Sequence, residues 1–502
     1  MKPSLPLDVV FSDWLVGFTL LGSLIYHVDI LNWTFATSLV ILVAAAVISW
    51  MTSDDAQRSA RLIPCLFAMG AATFSILFSG NLLTLMFSWV LLIAAVLSLL
   101  VVVMEPVRSV CYLLIIWGAG TFVLLWAVWN VGWGDGGRWS VLGHSQSVTL
   151  AVFVVSWITL GAYPLHLWFP LREDQSAEVL SLFHAIPPLV GLYLLARLSV
   201  LQVSLPFRDL WIALGGIALL LGAELAWSQR DRLRPLSFIG IALAGGVMLT
   251  VALSLPQSTG LILTRTLFLP FSLLALFLVP SRAGKDAPRW LDWLLGGVTG
   301  LAGASLVGMP PTAGFIAWSQ LHNAVLSTEN PVAMTLLFSV VILASVLIAA
   351  AFFHTWLLPA PEAHPKSALI RGIGGALLVL PALIGGLAPN VIVTPIAGPS
   401  WEEWSTQVYS STTIGIWVTI LLCISIGYVL NLWPPAISVK SYPTWRVVVR
   451  IWSLEWVCKT IEKVGRWLAD VLNTITDVVH GEHYLLWAVL TIILFLWFYL
   501  FF

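Results

Sequence analysis

Apolar runs near twenty residues long, parted by short polar or Gly/Pro-rich segments, fill most of this chain. They lie at 9–27, 33–51, 62–80, 82–104, 110–130, 148–169, 177–203, 209–228, 236–254, 260–279, 291–326, 331–357, 369–388, 411–430 and 485–502. At 1.5 Å rise per residue such a run spans a hydrocarbon core of about 30 Å, and runs this long exclude barrel strands. The pattern predicts an all-α, polytopic membrane protein with about fifteen transmembrane helices. The run at 291–326 is too long for one straight helix and contains Met309, Pro310, Pro311 and Gly314, so it reads as one interrupted span. The run at 9–27 has no small-residue cleavage site and reads as a retained span.

A different pattern occupies 444–480. Leu454, Val457, Ile461, Val464, Leu468, Val471 and Ile475 recur at steps of three and four, while Glu455, Lys459, Glu462, Lys463, Arg466 and Asp470 fill the other faces. This predicts an amphipathic helix of roughly 50 Å lying along the membrane surface, although a soluble hairpin or partner-binding helix fits the same pattern. Residues 481–502 then form a final anchor.

Composition agrees: 59% of the 502 residues are hydrophobic and 9% charged, where soluble domains carry about 25% charged residues. The net charge of -1 gives no reason to expect nucleic acid. Cys65, Cys111, Cys423 and Cys458 are scattered, without metal-ligand spacing, so no metal or cofactor is expected. Arg58, Arg61, Arg108, Arg172, Arg230, Arg232, Arg234, Arg282, Lys285 and Arg289 all follow even-numbered runs, which places those loops and the N-terminus on the cytoplasmic side, in a prokaryotic inner membrane. Most tryptophans near run boundaries, such as Trp133, Trp290 and Trp401, read as interface anchors.

Four segments carry motifs: GAYPLHLWFP at 161–170, HAIPP at 184–188 with GLYLLAR at 191–197, RDRLRPLS at 230–237, and LVGMPPTAGF at 306–315. In this order and spacing they resemble the antiporter-like membrane subunits of respiratory complex I, a family that includes Mrp-type sodium/proton antiporter and membrane-bound hydrogenase subunits. It also includes the membrane partner of certain inorganic-carbon uptake complexes. The resemblance implies two inverted five-helix repeats, here 62–203 and 209–357, each with an interrupted helix. Residues 1–61 would be N-terminal spans and 358–443 accessory spans. Helix breaks are expected at Pro164, at Pro187 with Pro188, and at Pro310 with Pro311.

Working members of that family carry a buried glutamate and several buried lysines along the membrane midplane. Here Lys2, Lys285, Lys366, Lys440, Lys459 and Lys463 all lie outside the apolar runs. The resemblance assigns the glutamate station to Val90 and the lysine stations to Thr159, Leu233, Leu269 and the region of Trp318. Without those groups, proton loading by coupled pKa shifts loses its means.

The remaining candidates for a proton path are His184, His166, Glu224 and Arg265. Each has a plainer reading. His184 can be a neutral imidazole bonded to a carbonyl, His166 an interfacial group satisfying freed carbonyls, and Glu224 and Arg265 can snorkel to water. The expected function is a membrane subunit of a complex I-like or hydrogenase-like assembly, not catalytic alone, with weak or absent proton conduction. Its expected partners are other membrane subunits and the lipid bilayer. The alternatives are an active transporter of protons or monovalent cations using the residual groups, or the membrane partner of an inorganic-carbon uptake complex.

Overall fold

The computed structural model describes residues 7–11, 24–52, 56–103, 107–131, 139, 145–169, 176–200, 204–229, 231–254, 268–280, 282–283, 287–357, 364–388 and 411–432, with scattered positions between 460 and 474. Arg265, Arg230, the final anchor and most of the expected surface helix lie outside the described residues. Contacts divide the chain at residue 436 into two units. In the second, Thr460, Lys463, Arg466, Trp467, Ala469, Asp470, Asn473 and Thr474 are helical and exposed.

The first unit begins with a hairpin. Strands β1 (Leu7–Phe11) and β2 (Leu24–Val28) pair antiparallel, with Leu7 opposite Val28. The expected span at 9–27 is therefore corrected: a chain that returns beside its own start has not crossed a bilayer. Its length and hydropathy suit a helix, but tertiary pairing decides otherwise. The Gly80 N–H donates to the Ile25 carbonyl at 2.7 Å, and the Ile25 N–H donates to Thr84 Oγ1 at 2.9 Å, so β2 lies on the α2–α3 turn.

The helices are α1 (Ile30–Trp50), α2 (Ala56–Leu77), α3 (Leu82–Val102), α4 (Val107–Val131), α5 (Gln146–Leu160), α6 (Ala177–Val200), α7 (Arg208–Ser228), α8 (Leu233–Ser254), α9 (Phe268–Leu278), α10 (Arg289–Val307), α11 (Ala313–Leu326), α12 (Pro331–Leu357), α13 (Pro365–Leu387) and α14 (Ser411–Leu432). Among the described residues, eleven helices are long and apolar enough to cross a membrane, and α5 and α9 supply shorter apolar segments. Within 291–326 the chain forms two helices: α10 has 19 residues and α11 has 14.

Helix α6 forms the centre, buried from Val179 to Ser199. Pro187 and Pro188 lie inside it without ending it, which corrects the expected break there. Each proline removes an N–H from the helical ladder, so the carbonyls four residues back, on Phe183 and His184, lose their usual donors. Surrounding helices tolerate such a site where an isolated helix would not. Beside α6, α7 and α8 pack backbone to backbone: a Cβ on Gly222 would meet Ala242 N at 2.6 Å, and one on Gly245 would meet Leu219 N at 2.5 Å. Small residues permit that approach in a setting where dispersion, rather than water exclusion, drives helix association.

Candidate functional site

Two helix breaks share one construction. Helix α5 ends at Gly161 (φ 64°), followed by the cis Tyr163–Pro164 bond and a short 3-10 turn over Leu165–Trp168; α10 ends at Gly308 (φ 80°), followed by the cis Pro310–Pro311 bond and α11. Both φ values fall in the left-handed region that glycine adopts without a Cβ penalty. A tryptophan beyond each break donates back to the helix before it: Trp168 Nε1 to the Ile158 carbonyl at 2.9 Å, and Trp318 Nε1 to the Leu306 carbonyl at 3.0 Å. Each bond adds a donor to a carbonyl in the final turn, where regular helical bonding runs out.

From the first break a column of rings runs through the interior. Trp89 stacks on Trp117 with centroids 4.8 Å apart, and Trp117 meets Trp168 edge-on at 5.1 Å. Trp168 stacks on Phe169 at 4.1 Å, Phe169 on His184 at 4.6 Å, and His184 on Phe277 at 5.3 Å. Helices α3, α4, α6 and α9 thus share one packed seam with the break. His184 is 2% exposed, and its Nε2 has no hydrogen-bond partner.

The second break borders a half-open apolar cavity instead, with Leu243, Leu269, Gly314 and Ala317 partly exposed at its mouth. It leaves about 60 Å3 for the centres of water-sized spheres, and Leu219, Leu243, Val247, Leu269, Trp318 and Leu321 line it.

The stations expected to carry charge fall into these surroundings. Thr159 is fully buried and spends its hydroxyl on carbonyls of its own helix, Val155 at 3.1 Å and Ser156 at 3.0 Å. Val90 is 46% exposed on the outer face of α3; its neighbour Trp89 faces inward and is fully buried. Leu233, half-buried, starts α8. Leu269 and Trp318 both line the cavity.

Of the proton-path candidates, His166 is buried in the 3-10 turn, its ring 5.4 Å from that of Tyr163 and its Nδ1 without a partner. Glu224 is half-buried near the end of α7. His166 Nδ1 and His184 Nε2 lack hydrogen-bond partners, and among the described residues no set of three or more His, Cys, Asp or Glu side chains could hold a metal ion.

Two features escaped sequence reasoning. His322, fully buried one turn after Trp318, approaches the Trp318 carbonyl with Nδ1 at 2.8 Å; a further histidine inside an apolar run was the available signal. The second is a polar latch. Arg197 near the end of α6, 4% exposed, donates to Asp29 at 2.6 Å, to Asn32, and to the Tyr193 hydroxyl at 3.1 Å. Asp29 caps α1 by accepting from Asn32 N at 2.8 Å, and His27 lies between Asp8 at 2.5 Å and Asp29 at 3.5 Å. The hydrogen bond to Asp29 raises the His27 pKa, against burial, with Asp8 adding to the rise. Burial pushes the Asp29 carboxyl up, but His27 and Arg197 together outweigh it and hold it below the usual carboxylate range.

Residues 79–343 match the family described as NADH:quinone oxidoreductase/Mrp antiporter, TM. The NAD(P)H-quinone oxidoreductase subunit 5 of chloroplasts is similar over a shorter stretch. The Piper cenocladum protein is 34% identical over 23% of this chain and 17% of its own length, and the Zea mays protein 36% identical over 23% and 16%. The match thus spans about a sixth of those relatives. Among solved structures, one from the Mrp complex of Dietzia sp. DQ12-45-1b superposes with TM-score 0.75 at 18% identity, covering 98% of this chain and 57% of the other. A chain of the membrane-bound sulfane sulfur reductase, an archaeal respiratory membrane complex, gives 0.67 at 16% identity, covering 98% and 91%. At such identities these likenesses speak to the fold.

Proposed function

Since this chain belongs to the NADH:quinone oxidoreductase/Mrp antiporter transmembrane family, we propose that it serves as a non-catalytic membrane subunit of a complex I-like or hydrogenase-like assembly, with weak or absent proton conduction of its own. The observation that carries this reading is the state of the stations. Thr159 is bonded within its own helix, Trp89 fills the inward position beside Val90, and Leu269 and Trp318 present apolar surface. A proton needs a continuous series of titratable groups or water, and a packed aromatic seam supplies neither. The matching breaks support division into two repeats, 62–203 and 209–357. A prokaryotic cell membrane remains the proposed location. With the basic ends of the helices cytoplasmic and α1 leading from the hairpin to the start of α2, which carries Arg58 and Arg61, the hairpin sits on the external side, opposite to the side expected when 9–27 was read as a crossing.

A second reading, active proton transport, draws on one observation: the buried, unpartnered Nε2 of His184. Proton flux into liposomes containing the full chain separates the two. The subunit reading expects flux indistinguishable from empty liposomes in the parent, in His184→Ala and in Glu224→Gln. Parent flux abolished by either substitution would sink it.

A further inference from the structure

We propose that a recess at the start of α8 takes the phosphate of an anionic phospholipid, with Arg232 as the cation that holds it. Arg232 lies one residue before α8 and lines this recess with Leu276 of α9, Thr299 of α10, and Phe352, Thr355 and Trp356 of α12. The side chain is half-buried, and among the described residues no carboxylate answers it. Asp231 beside it pairs instead with Arg234 at 3.7 Å, and burial lowers the Arg232 pKa with no charge opposing the shift. A cation drawn out of water without a partner is costly, and an arginine keeps its proton at neutral pH, so the missing charge has to come from outside the chain.

The neighbouring hydroxyls are already spent as donors: Thr299 Oγ1 donates to the Leu295 carbonyl and Thr355 Oγ1 to the Ala351 carbonyl, each at 2.8 Å. An arriving oxygen therefore meets the guanidinium, whose planar fork suits a phosphate. The recess is small, about 10 Å3, roughly the room of one water. One oxygen enters it, and the rest of the ligand stays among the helix ends outside. There α8 begins, α9 stops two residues after Leu276, and α12 stops one residue after Trp356, which is 37% exposed. An indole so placed marks a membrane–water interface. This end of the bundle is the one proposed above as cytoplasmic, where anionic lipids gather and basic pockets between spanning helices take up their headgroups. A free phosphate would gain the arginine alone, whereas a phospholipid adds apolar contact along its chains.

Native mass spectrometry of the full chain in detergent, titrated with phosphatidylglycerol, phosphatidylcholine or inorganic phosphate, tests this. The parent should bind phosphatidylglycerol roughly tenfold more tightly than phosphatidylcholine, the effect of one charge-assisted hydrogen bond. Arg232→Met should remove that preference, and Arg289→Gln, which changes an exposed arginine on the same side, should keep it. Without lipid, Arg232→Met should melt no lower than the parent, because it removes an unpaired charge; Arg232→Gln repeats the test should the methionine variant not fold. Equal affinity of the parent for the two lipids, or a preference that survives both Arg232 substitutions, would overturn the proposal. Inorganic phosphate that displaces phosphatidylglycerol at equal concentration would overturn the assignment to a lipid.

Discussion

The two helix breaks use the same backbone device and fill the space behind it in opposite ways. At the first, a Cβ on Gly161 would fall 1.7 Å from Phe169, whose ring is pressed between Trp168 and His184. At the second, a Cβ on Gly308 would fall 2.4 Å from Trp318, whose ring borders open space. Backbone geometry therefore does not determine what a break does. A glycine cap, a proline and a returning tryptophan end a helix equally well beside a packed seam or a half-open apolar cavity, and side-chain volume around the break sets how much room lies behind it.

The strongest way to break that comparison is to remove the returning tryptophan from each side. Trp168→Ala deletes a fully buried ring that touches Trp117, Phe169 and Phe183, and should cost about 3–5 kcal/mol, as large aromatic truncations in packed cores do. Trp318→Ala removes the same hydrogen bond but merges the vacated volume with a cavity already present. Neighbours there have lost fewer contacts, so the cost should be nearer about 2–3 kcal/mol. Thermal unfolding in detergent measures both. Equal losses would mean that the breaks are supported alike and the contrast in packing has no energetic consequence.

How much of this was legible in sequence differs between the same two places. Gly161 with Pro164, and Gly308 with Pro310 and Pro311, mark both breaks directly, because positive φ and a missing N–H are local properties. What lies behind them is not local. The ring column draws on Trp89, Trp117, Trp168, His184 and Phe277, residues on separate elements that no spacing rule joins. Pro187 and Pro188 looked like a break for the same reason that Pro164 did. They failed to be one because α6 is enclosed along its length, and only the packing reveals that. The hairpin was hidden likewise: 7–11 and 24–28 show no apolar/polar alternation and lie in a largely apolar stretch, and pairing partners supply the missing information.

A smaller effect sharpens the contrast from outside the breaks. The latch ties β2 and the start of α1 to α6, the helix behind the first break, so its titration should register on that side. With a folded pKa raised above the ordinary value near 6.5, His27 contributes stability that is fully present below about pH 6.5 and lost as pH rises through the folded value. Asp29, held below its ordinary value near 3.8, contributes above that value and loses its contribution as pH falls through the depressed one. Melting temperature should therefore be highest between roughly pH 4 and 6.5 and fall on the alkaline side. His27→Gln should abolish that alkaline fall and shrink the acid limb without removing it, since Arg197 still holds the Asp29 carboxyl down. An unchanged alkaline limb in the variant would remove the latch as its source.

The smallest expected effect changes sign between the two halves. Gly191 on α6 faces the first break; a Cβ there would lie 2.6 Å from Thr159 Oγ1 and 2.8 Å from both Leu160 Cγ and the Ser156 carbonyl, so Gly191→Ala must displace packed atoms and destabilise. Gly246 on α8 lines the cavity, and a Cβ would meet Leu219 Cδ1 at 3.6 Å and Leu321 Cδ2 at 3.7 Å, which is ordinary van der Waals contact. Helix propensity then dominates, and Gly246→Ala should stabilise by about 0.5–1 kcal/mol. The same substitution in two helices of the same interior thus reads local free volume through its sign. Stabilisation at Gly191, or loss at Gly246, would show that the seam and the cavity are not the two packing states described.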